Sequence, residues 1–435
     1  IIDVIMNHTS SDHPWFQEAR TSRDNPKRDW FIWRDPATDG GPPNNWTAMF
    51  GGASWEFDEA TGQYYFHQFL ASQPDLNWRN PEVHKAIAEA MRFWLDRGVD
   101  GIRVDAVQTL TEDPLLRDNP PPKEVSQKSM AGGEYLSQDH IHDIDWPDNI
   151  AIIEEWGALI REYPDRLLLG EAYLLDPARM VRYYADGHGF DLCFNFNLVN
   201  IPWDADAVRQ AVEPVDALLP KGAQITNLLG SHDEPRLATR FGPSRAKTAA
   251  LLLAALRGVM LVYQGDEIGT PNGVIPKELI QDPWALAGEG LSRDPARTPM
   301  QWDAAGGLTF GFTTGRPWLP MATHDPAISV AAQENDPGSL LSFYRDLIAF
   351  RRSSPLFKHG SQRFLDGLPS GLLGFVRESG NQSACVFVEM GERSRDVDLP
   401  HPGTIVMATD RARIGEYVSR RMTLMPDEAV IVAST

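Results

Sequence analysis

Four apolar runs in this 435-residue sequence end in groups able to take, give or hold a proton. DVIMNH (3–8) ends in Asn7 and His8, and GIRVDAV (101–107) carries Arg103, Asp105 and Ala106. LLLGEAY (167–173) delivers Glu171, and NLLGSHDEPR (227–236) delivers His232, Asp233 and Glu234. A charge inside an apolar run is costly unless it is paired. Arg103 stands two residues before Asp105, so in an ideal strand it shares that face and can hold the carboxylate ionised. Glu171 follows three leucines and a glycine, surroundings that raise a carboxyl pKa toward general-acid use. One ionised and one protonated carboxyl group flanking a bond is the arrangement of glycoside hydrolysis. The spacing is about 5–5.5 Å where sugar configuration is retained, and wider where it is inverted. The plainer reading makes each carboxylate half of a structural ion pair. Three carboxylates and two histidines on one rim argue for chemistry instead.

That rim has to be built by the fold. Residues 1–6 read as a strand buried on both faces. Residues 9–80, rich in Asp, Asn, Pro, Gly and Trp, are too long for a loop and too irregular for a helix, so they form an inserted domain. Pro81 suits the first position of a helix over 82–97, which Gly98 stops. Strands at 100–107, 167–173, 192–198, 224–231 and 259–264 then alternate with helices at 150–162, 177–185, 205–218 and 245–256. A further helix covers 339–352. Alternation of this kind means a parallel sheet with helical crossovers, and in a barrel the active residues lie at the C-terminal strand ends. Six strands are visible where a closed (β/α)8 barrel has eight. After Pro355 short alternating strands with turns such as ESGNQ (378–382) indicate an antiparallel β domain. The expected division is a catalytic barrel over 1–8 and 81–355, an inserted domain over 9–80 and a β domain over 356–435.

Composition narrows the class. The formal net charge of −20 disfavours nucleic acid and anionic membrane surfaces as partners. The longest apolar stretch, 249–256, falls far short of the roughly 18–20 residues of a membrane span. Cys193 and Cys385 make no disulfide framework, and a reducing, cytoplasmic setting is expected. HIHDID (140–145) has no further Cys or His around it, so no metal site is expected there. Asp266 and Glu267 read as scaffold, and Glu234 faces away from Asp233 because neighbours on a strand alternate. Asp3, inside the first strand, reads as a buried hydrogen-bonding residue.

In this order, these segments resemble the α-amylase family of glycoside hydrolases. QPDLN (73–77), YQGDEIG (263–269) and RTPMQW (297–302) are similar to its oligo-1,6-glucosidase and α-glucosidase branch. The resemblance implies an α/β fold: a (β/α)8 TIM barrel lacking its first two βα units, an inserted domain after the third strand, and a C-terminal antiparallel β-sandwich. On that reading DVIMNH is the third barrel strand and the chain is a fragment of a longer product. The upstream part would carry further pocket residues and, in relatives that have one, a Ca²⁺ or Mg²⁺ loop; no other cofactor is required.

The resemblance also implies roles. Asp105 would be the nucleophile, Glu171 the general acid and then base, and Asp233 the transition-state stabiliser. His8 and His232 would bond sugar hydroxyls, Arg103 would orient Asp105, and Arg297 would reach the non-reducing end. Phe50 and Phe69 would wall the subsite, with Gln73 nearby. In this branch Val after the nucleophile accompanies α-1,6 preference, and Ala or Thr accompanies α-1,4, so Ala106 points to α-1,4 bonds. The expected activity is an exo-acting α-glucosidase on maltose, malto-oligosaccharides and sucrose, with transglycosylation as a side activity. The expected partner is a small oligosaccharide, with no nucleic acid and no membrane, and the protein a monomer or homodimer. Sucrose isomerases and trehalose synthases share the same barrel and triad. Transporter heavy chains also resemble this branch but act as binding partners with a degraded triad; here all three carboxylates are present.

Overall fold

The computed structural model describes residues 1–122, 133–286 and 291–434, and its contacts divide the chain into two compact units. One comprises Ile1–Phe194, Pro220–Ala223 and Pro283–Leu291; the other comprises Asn195–Leu219, Gln224–Asp282 and the chain from Ser292 onward.

The first unit opens with β1 (Ile2–Val4), then α1 (Pro14–Ala19) and a three-stranded antiparallel sheet of β2 (Trp33–Arg34), β3 (Trp55–Asp58) and β4 (Gln63–Phe66), with β4 in the middle. Trp46, Trp55, Ile32 and Phe66 form the small core beside that sheet. Helix α2 (Pro81–Leu95) starts where the sequence signals it. Asn80 caps it by accepting from the Glu82 N–H, Pro81 takes the first turn, and Val83, Ile87, Met91 and Leu95 give it a buried face at helical spacing. Then come β5 (Gly101–Val104), α3 (Asn149–Ile160), β6 (Leu167–Gly170), α4 (Pro177–Met180) and β7 (Leu192–Asn195). β1 pairs with β5, β5 with β6 and β6 with β7, all parallel.

The first strand corrects one expectation. Ile1 and Ile5 are 65% and 52% exposed, so the run 1–6 is not buried on both faces. Asp3 is exposed too, its side chain 64% accessible. The described neighbours cover β1 along one edge only, through β5.

The second unit holds α5 (Ala205–Leu218), β8 (Thr226–Asn227), α6 (Leu237–Arg240), α7 (Ala246–Ala255) and β9 (Val259–Met260), with β8 and β9 parallel. Asp204 caps α5 and Ser339 caps the helix over 340–353, each accepting from the N–H three residues on. α8 (Val330–Gln333), α9 (Leu340–Ser353) and α10 (Pro355–His359) follow. Strands β10 (Ser361–Phe364), β11 (Leu372–Ser379), β12 (Gln382–Glu389), β13 (Arg395–Asp398), β14 (Gly403–Ala408), β15 (Tyr417–Val418), β16 (Arg421–Leu424) and β17 (Ala429–Ser434) complete the unit. The main antiparallel sheet runs β10-β11-β12-β17-β14-β15, and β13 pairs with β16 in a second sheet. Val397, Met422 and Leu424 pack on Phe387, Ile405 and Val432 to make the sandwich core. The other face of the main sheet shares one core with α5, α7 and α9, through Phe375, Val386 and Ile431 against Leu251, Phe343 and Leu347. Arg377, fully buried on β11, spans that junction. Its guanidinium donates to the carbonyls of Ala255 (2.7 Å), Gly360 (2.9 Å), Ser361 (3.1 Å) and Leu356 (3.2 Å).

Candidate active site

In the first unit, strand register fixes which side chains meet. β5 and β6 pair with Val104 opposite Gly170, so Asp105 and Glu171 leave adjacent strand ends together. The Glu171 N–H donates to the Val104 carbonyl at 2.9 Å, and the Val107 N–H to the Glu171 carbonyl at 3.1 Å. A Cβ at Gly170 would lie 2.7 Å from the Phe190 ring, so a larger residue there would push β6 and Glu171 out of place.

One guanidinium joins the two carboxylates. Arg103 Nη1 is 2.6 Å from Asp105 Oδ1, and Nη2 is 2.5 Å from Glu171 Oε2. Nη1 also lies 3.5 Å from Asp3 Oδ2. Burial works against the charged guanidinium, but the fields of Glu171, Asp105 and Asp3 outweigh it and hold Arg103 above its ordinary value. Leu168 and Leu169 before Glu171 are buried, and its carboxylate is met by a cation.

His8 is pushed down to about 4 by burial, against the pull of Asp105, so it is neutral at pH 7. The Gln73 amide nitrogen reaches its Nε2 at 2.9 Å, and the Leu70 N–H fixes Gln73 by donating to Oε1 at 3.2 Å. Phe69 lies 5.2 Å from the His8 ring, and Phe50 lies 5.8 Å from Phe69. Trp284, which no sequence motif singled out, continues this aromatic wall with its ring 5.4 Å from Phe50. Ala106 is 7% exposed and has left-handed backbone angles, φ 46° and ψ 46°.

In the second unit the loop after β8 carries His232 and Asp233. Ser231 Oγ accepts from the Asp233 N–H at 3.1 Å. Asp233 Oδ1 receives Arg297 Nη2 at 2.6 Å and Arg293 Nη1 at 3.0 Å, and His232 Nε2 lies 3.2 Å from Oδ2. Arg297 Nε also donates to the His232 carbonyl at 2.8 Å. The fold thus brings His232, Asp233 and Arg297 together and adds Arg293. Asp282, its side chain wholly buried, grips Arg293 at 2.8 Å and 2.9 Å. Asp294 Oδ2 in turn accepts the N–H groups of Gln281 (2.6 Å) and Asp282 (3.0 Å). Burial disfavours the Arg293 cation, but Asp282 and Asp233 together raise it above its ordinary value. The available signal was the second arginine four residues ahead of RTPMQW, in SRDPAR (292–297).

Other acidic and histidine-rich segments take structural partners. His140 Nδ1 lies 2.7 Å from Asp143 Oδ2, and its ring stacks on Tyr135 at 3.6 Å. His142 lies 3.4 Å from Asp113. Among the described residues no group of three or more His, Cys, Asp or Glu is placed to hold a metal ion. Arg236 of SHDEPR is buried, donates to the Gln264 carbonyl at 2.7 Å and lies over the Tyr263 ring. Asp266 is buried in a tight turn, where desolvation pushes its carboxyl up to about 7 against the pull of Arg236. Cys193 and Cys385 are both buried free thiols. No helix among the described residues is long and apolar enough to cross a membrane.

Comparison with known proteins gives the family. The sequence profile of the alpha-amylase catalytic domain matches residues 1–360. A protein named probable alpha-glucosidase from Rhizobium meliloti (strain 1021) is 36% identical over 416 residues, 92% of this chain and 74% of that protein. The oligo-1,6-glucosidase of Heyndrickxia coagulans is 33% identical over 442 residues, 92% of this chain and 77% of that one. Among solved structures, the alpha-glucosyl transfer enzyme XgtA superposes with a TM-score of 0.92 at 34% identity, covering all of this chain and 82% of its own. The trehalulose synthase MutB in complex with isomaltulose gives 0.89 at 30% identity, covering 99% and 83%. The fold class is therefore α/β, a parallel TIM-type barrel followed by an antiparallel β-sandwich. With paired carboxylates at neighbouring strand ends and a profile match over most of its length, the chain belongs to the α-amylase family of glycoside hydrolases.

Proposed function

We propose that this enzyme is a retaining, exo-acting α-glucosidase, releasing glucose from the non-reducing end of short α-glucosides such as maltose and malto-oligosaccharides. The observation that carries this is the placement of Asp105 and Glu171 on one guanidinium, at adjacent strand ends. Two carboxyl groups sharing one cation suit the closer spacing of retention, about 5–5.5 Å, better than the roughly 6.5–9.5 Å of inversion. Asp105 attacks the anomeric carbon and forms a glucosyl ester, while Glu171 gives its proton to the departing glycosidic oxygen. Glu171, now ionised, takes a proton from the water that hydrolyses the ester. Arg103 aims Asp105 through the contact at 2.6 Å. Asp233, assigned by its motif, grips sugar hydroxyls, and the arginines beside it hold it in place. Neutral His8 both donates and accepts hydrogen bonds, as a hydroxyl-binding imidazole must. Ala106 supports α-1,4 preference through the space it leaves; a difference of methyl size is worth only about 1–3 kcal/mol. The proposed reaction draws on these side chains and needs no cofactor.

A glucosyl ester can also be captured by a sugar, and likeness to an alpha-glucosyl transfer enzyme supports transglycosylation as a side activity. A second reading, a sucrose isomerase, is favoured by the likeness to trehalulose synthase. The test is product analysis with maltose, isomaltose and sucrose, beside Asp105→Asn. Glucose from maltose, lost in the variant, supports the α-glucosidase. Isomaltulose or trehalulose from sucrose moves the assignment to an isomerase. Full turnover by Asp105→Asn sinks the proposed nucleophile.

A further inference from the structure

The segment that carries Glu171 out of the sheet is irregular. β6 ends at Gly170 and α4 begins at Pro177, so residues 171–176 belong to neither. A proton donor on such a stretch needs other ties, because a misplacement of about 1 Å can cost about a hundredfold in rate. Two backbone bonds hold its start, the Glu171 N–H on the Val104 carbonyl at 2.9 Å and the Val107 N–H on the Glu171 carbonyl at 3.1 Å. A further tie is a side chain. Gln108 is 3% exposed, and its Oε1 accepts from the Tyr173 N–H at 3.2 Å. A backbone N–H only donates, so the amide presents its oxygen there. Gln108 is itself anchored: its carbonyl accepts the Asp145 N–H at 2.6 Å and Asn149 Nδ2 at 3.2 Å. The Asp145 carboxylate is clamped by Arg179 Nε (2.6 Å), Tyr183 Oη (2.8 Å) and Arg182 Nη2 (2.9 Å). Asn149, fully buried, accepts from Thr111 Oγ1 at 2.6 Å. The turn at Gln108 thus shifts only by breaking buried hydrogen bonds, and Gln108 passes that rigidity to the segment after Glu171.

We propose that Gln108 is a positioning residue for Glu171, its buried amide holding the backbone at Tyr173 so that the carboxyl group keeps its aim at the departing oxygen. This rests on the α-glucosidase reading.

The test uses leaving groups that differ in their need for a proton. The sugar oxygen that leaves maltose must be protonated as the bond breaks, whereas fluoride leaves α-glucosyl fluoride without a proton. The quantity compared is kcat/KM, which reports bond breaking ahead of the attack of water, with folding checked by thermal melting. Gln108→Met keeps the length of the side chain and removes the acceptor. Its kcat/KM on maltose falls about tenfold, a fraction of the roughly 10²–10⁴ that a general acid supplies, and on α-glucosyl fluoride stays within about twofold of the parent. Gln108→Glu keeps an acceptor oxygen at the same reach and recovers the maltose rate. Gln108→Asn keeps a buried amide one methylene short, shows the same split, and covers the case in which Gln108→Met does not fold. Equal losses on both substrates, which general loosening would give, overturn the proposal. So does the absence of any loss, or a Gln108→Glu enzyme as impaired on maltose as Gln108→Met. The two failures are distinguishable: a parent that hydrolyses neither substrate sinks the α-glucosidase reading and this role with it, while an active parent whose variants show no split sinks only the role of Gln108.

Discussion

Replacing Arg103 by Met keeps most of the side-chain volume and removes the cation between two carboxylates. That cation stands 2.6 Å from Asp105 and 2.5 Å from Glu171. Opposite unit charges about 4 Å apart attract by about 4 kcal/mol at an effective dielectric of about 20, and only the Asp105 pair counts in full, because the proposed general acid Glu171 carries a proton before reaction. Desolvation offsets much of that attraction, because the Arg103 and Glu171 side chains are only 12% and 10% exposed. Removing one partner of a buried pair leaves a net loss of about 3–5 kcal/mol. The part borne by the transition state, at about 1.4 kcal/mol per factor of ten, lowers kcat/KM by about 10²–10³. The rest appears as reduced stability. Arg103→Lys restores the charge but not the planar fork that spans two carboxylates, so it recovers stability better than rate. The assay is hydrolysis of a chromogenic α-glucoside, beside thermal melting. An Arg103→Met enzyme within threefold of the parent in kcat/KM and unchanged in Tm would refute the view that this cation joins the two proposed catalytic carboxyl groups.

Other perturbations test other parts. Asp282→Ala strips Arg293 of its buried partner, so stability drops by about 3 kcal/mol and kcat/KM falls; an unaffected kcat/KM would mean that Arg293 does not position Asp233. His8 and His67 both stand at about 4, pushed down by burial, while an unfolded histidine titrates at about 6.5. The unfolded chain therefore takes up protons first as pH falls, so their contribution is complete above pH 6.5 and declines toward pH 4. Chemical denaturation at pH 5 shows a loss of about 2 kcal/mol per histidine, and His67→Gln removes one share; a flat profile would contradict it. Asp266 has the opposite sign: raised to about 7 by burial, it contributes stability at acid pH that is lost as pH rises toward 7. Asp266→Asn is accordingly more stable than the parent at pH 8, by about 2–4 kcal/mol; a variant destabilised at pH 8 would disprove the assignment.

Which of these features the sequence disclosed depends on how local their causes are. The start of α2 was legible because Pro81 acts within one turn of itself; the caps Asp204 and Ser339 act as locally but were not singled out. The Arg103–Asp105 contact followed from a spacing of two along one strand. The strands themselves are shorter than their apolar runs: only Thr226–Asn227 of the run 224–231 forms a ladder, although Ile225, Leu228 and Leu229 are buried as well. The exposure of Asp3 and Ile5 was not legible, because burial depends on what covers a strand and not on the strand's own residues. Asp282 and Trp284 escaped for the same reason. Their partners, Arg293, which in turn holds Asp233, and Phe50, are brought to them by loops whose course no periodicity encodes.

The junction at Arg377 limits how this chain can exchange parts with its relatives. A domain joined by a loose linker can be swapped by one recombination event, because each side keeps its own core. Here the carbonyls that Arg377 serves come from the end of α7, from α10 and from the approach to β10, and the main sheet and α5, α7 and α9 bury one another's apolar faces. A crossover placed at the apparent seam near Pro355 would leave a buried guanidinium facing foreign backbone and two apolar faces without their matched partners. The C-terminal sheet is therefore inherited with its helices, and chimaeras that keep α7, α10 and β11 from one parent are the ones expected to express as folded protein.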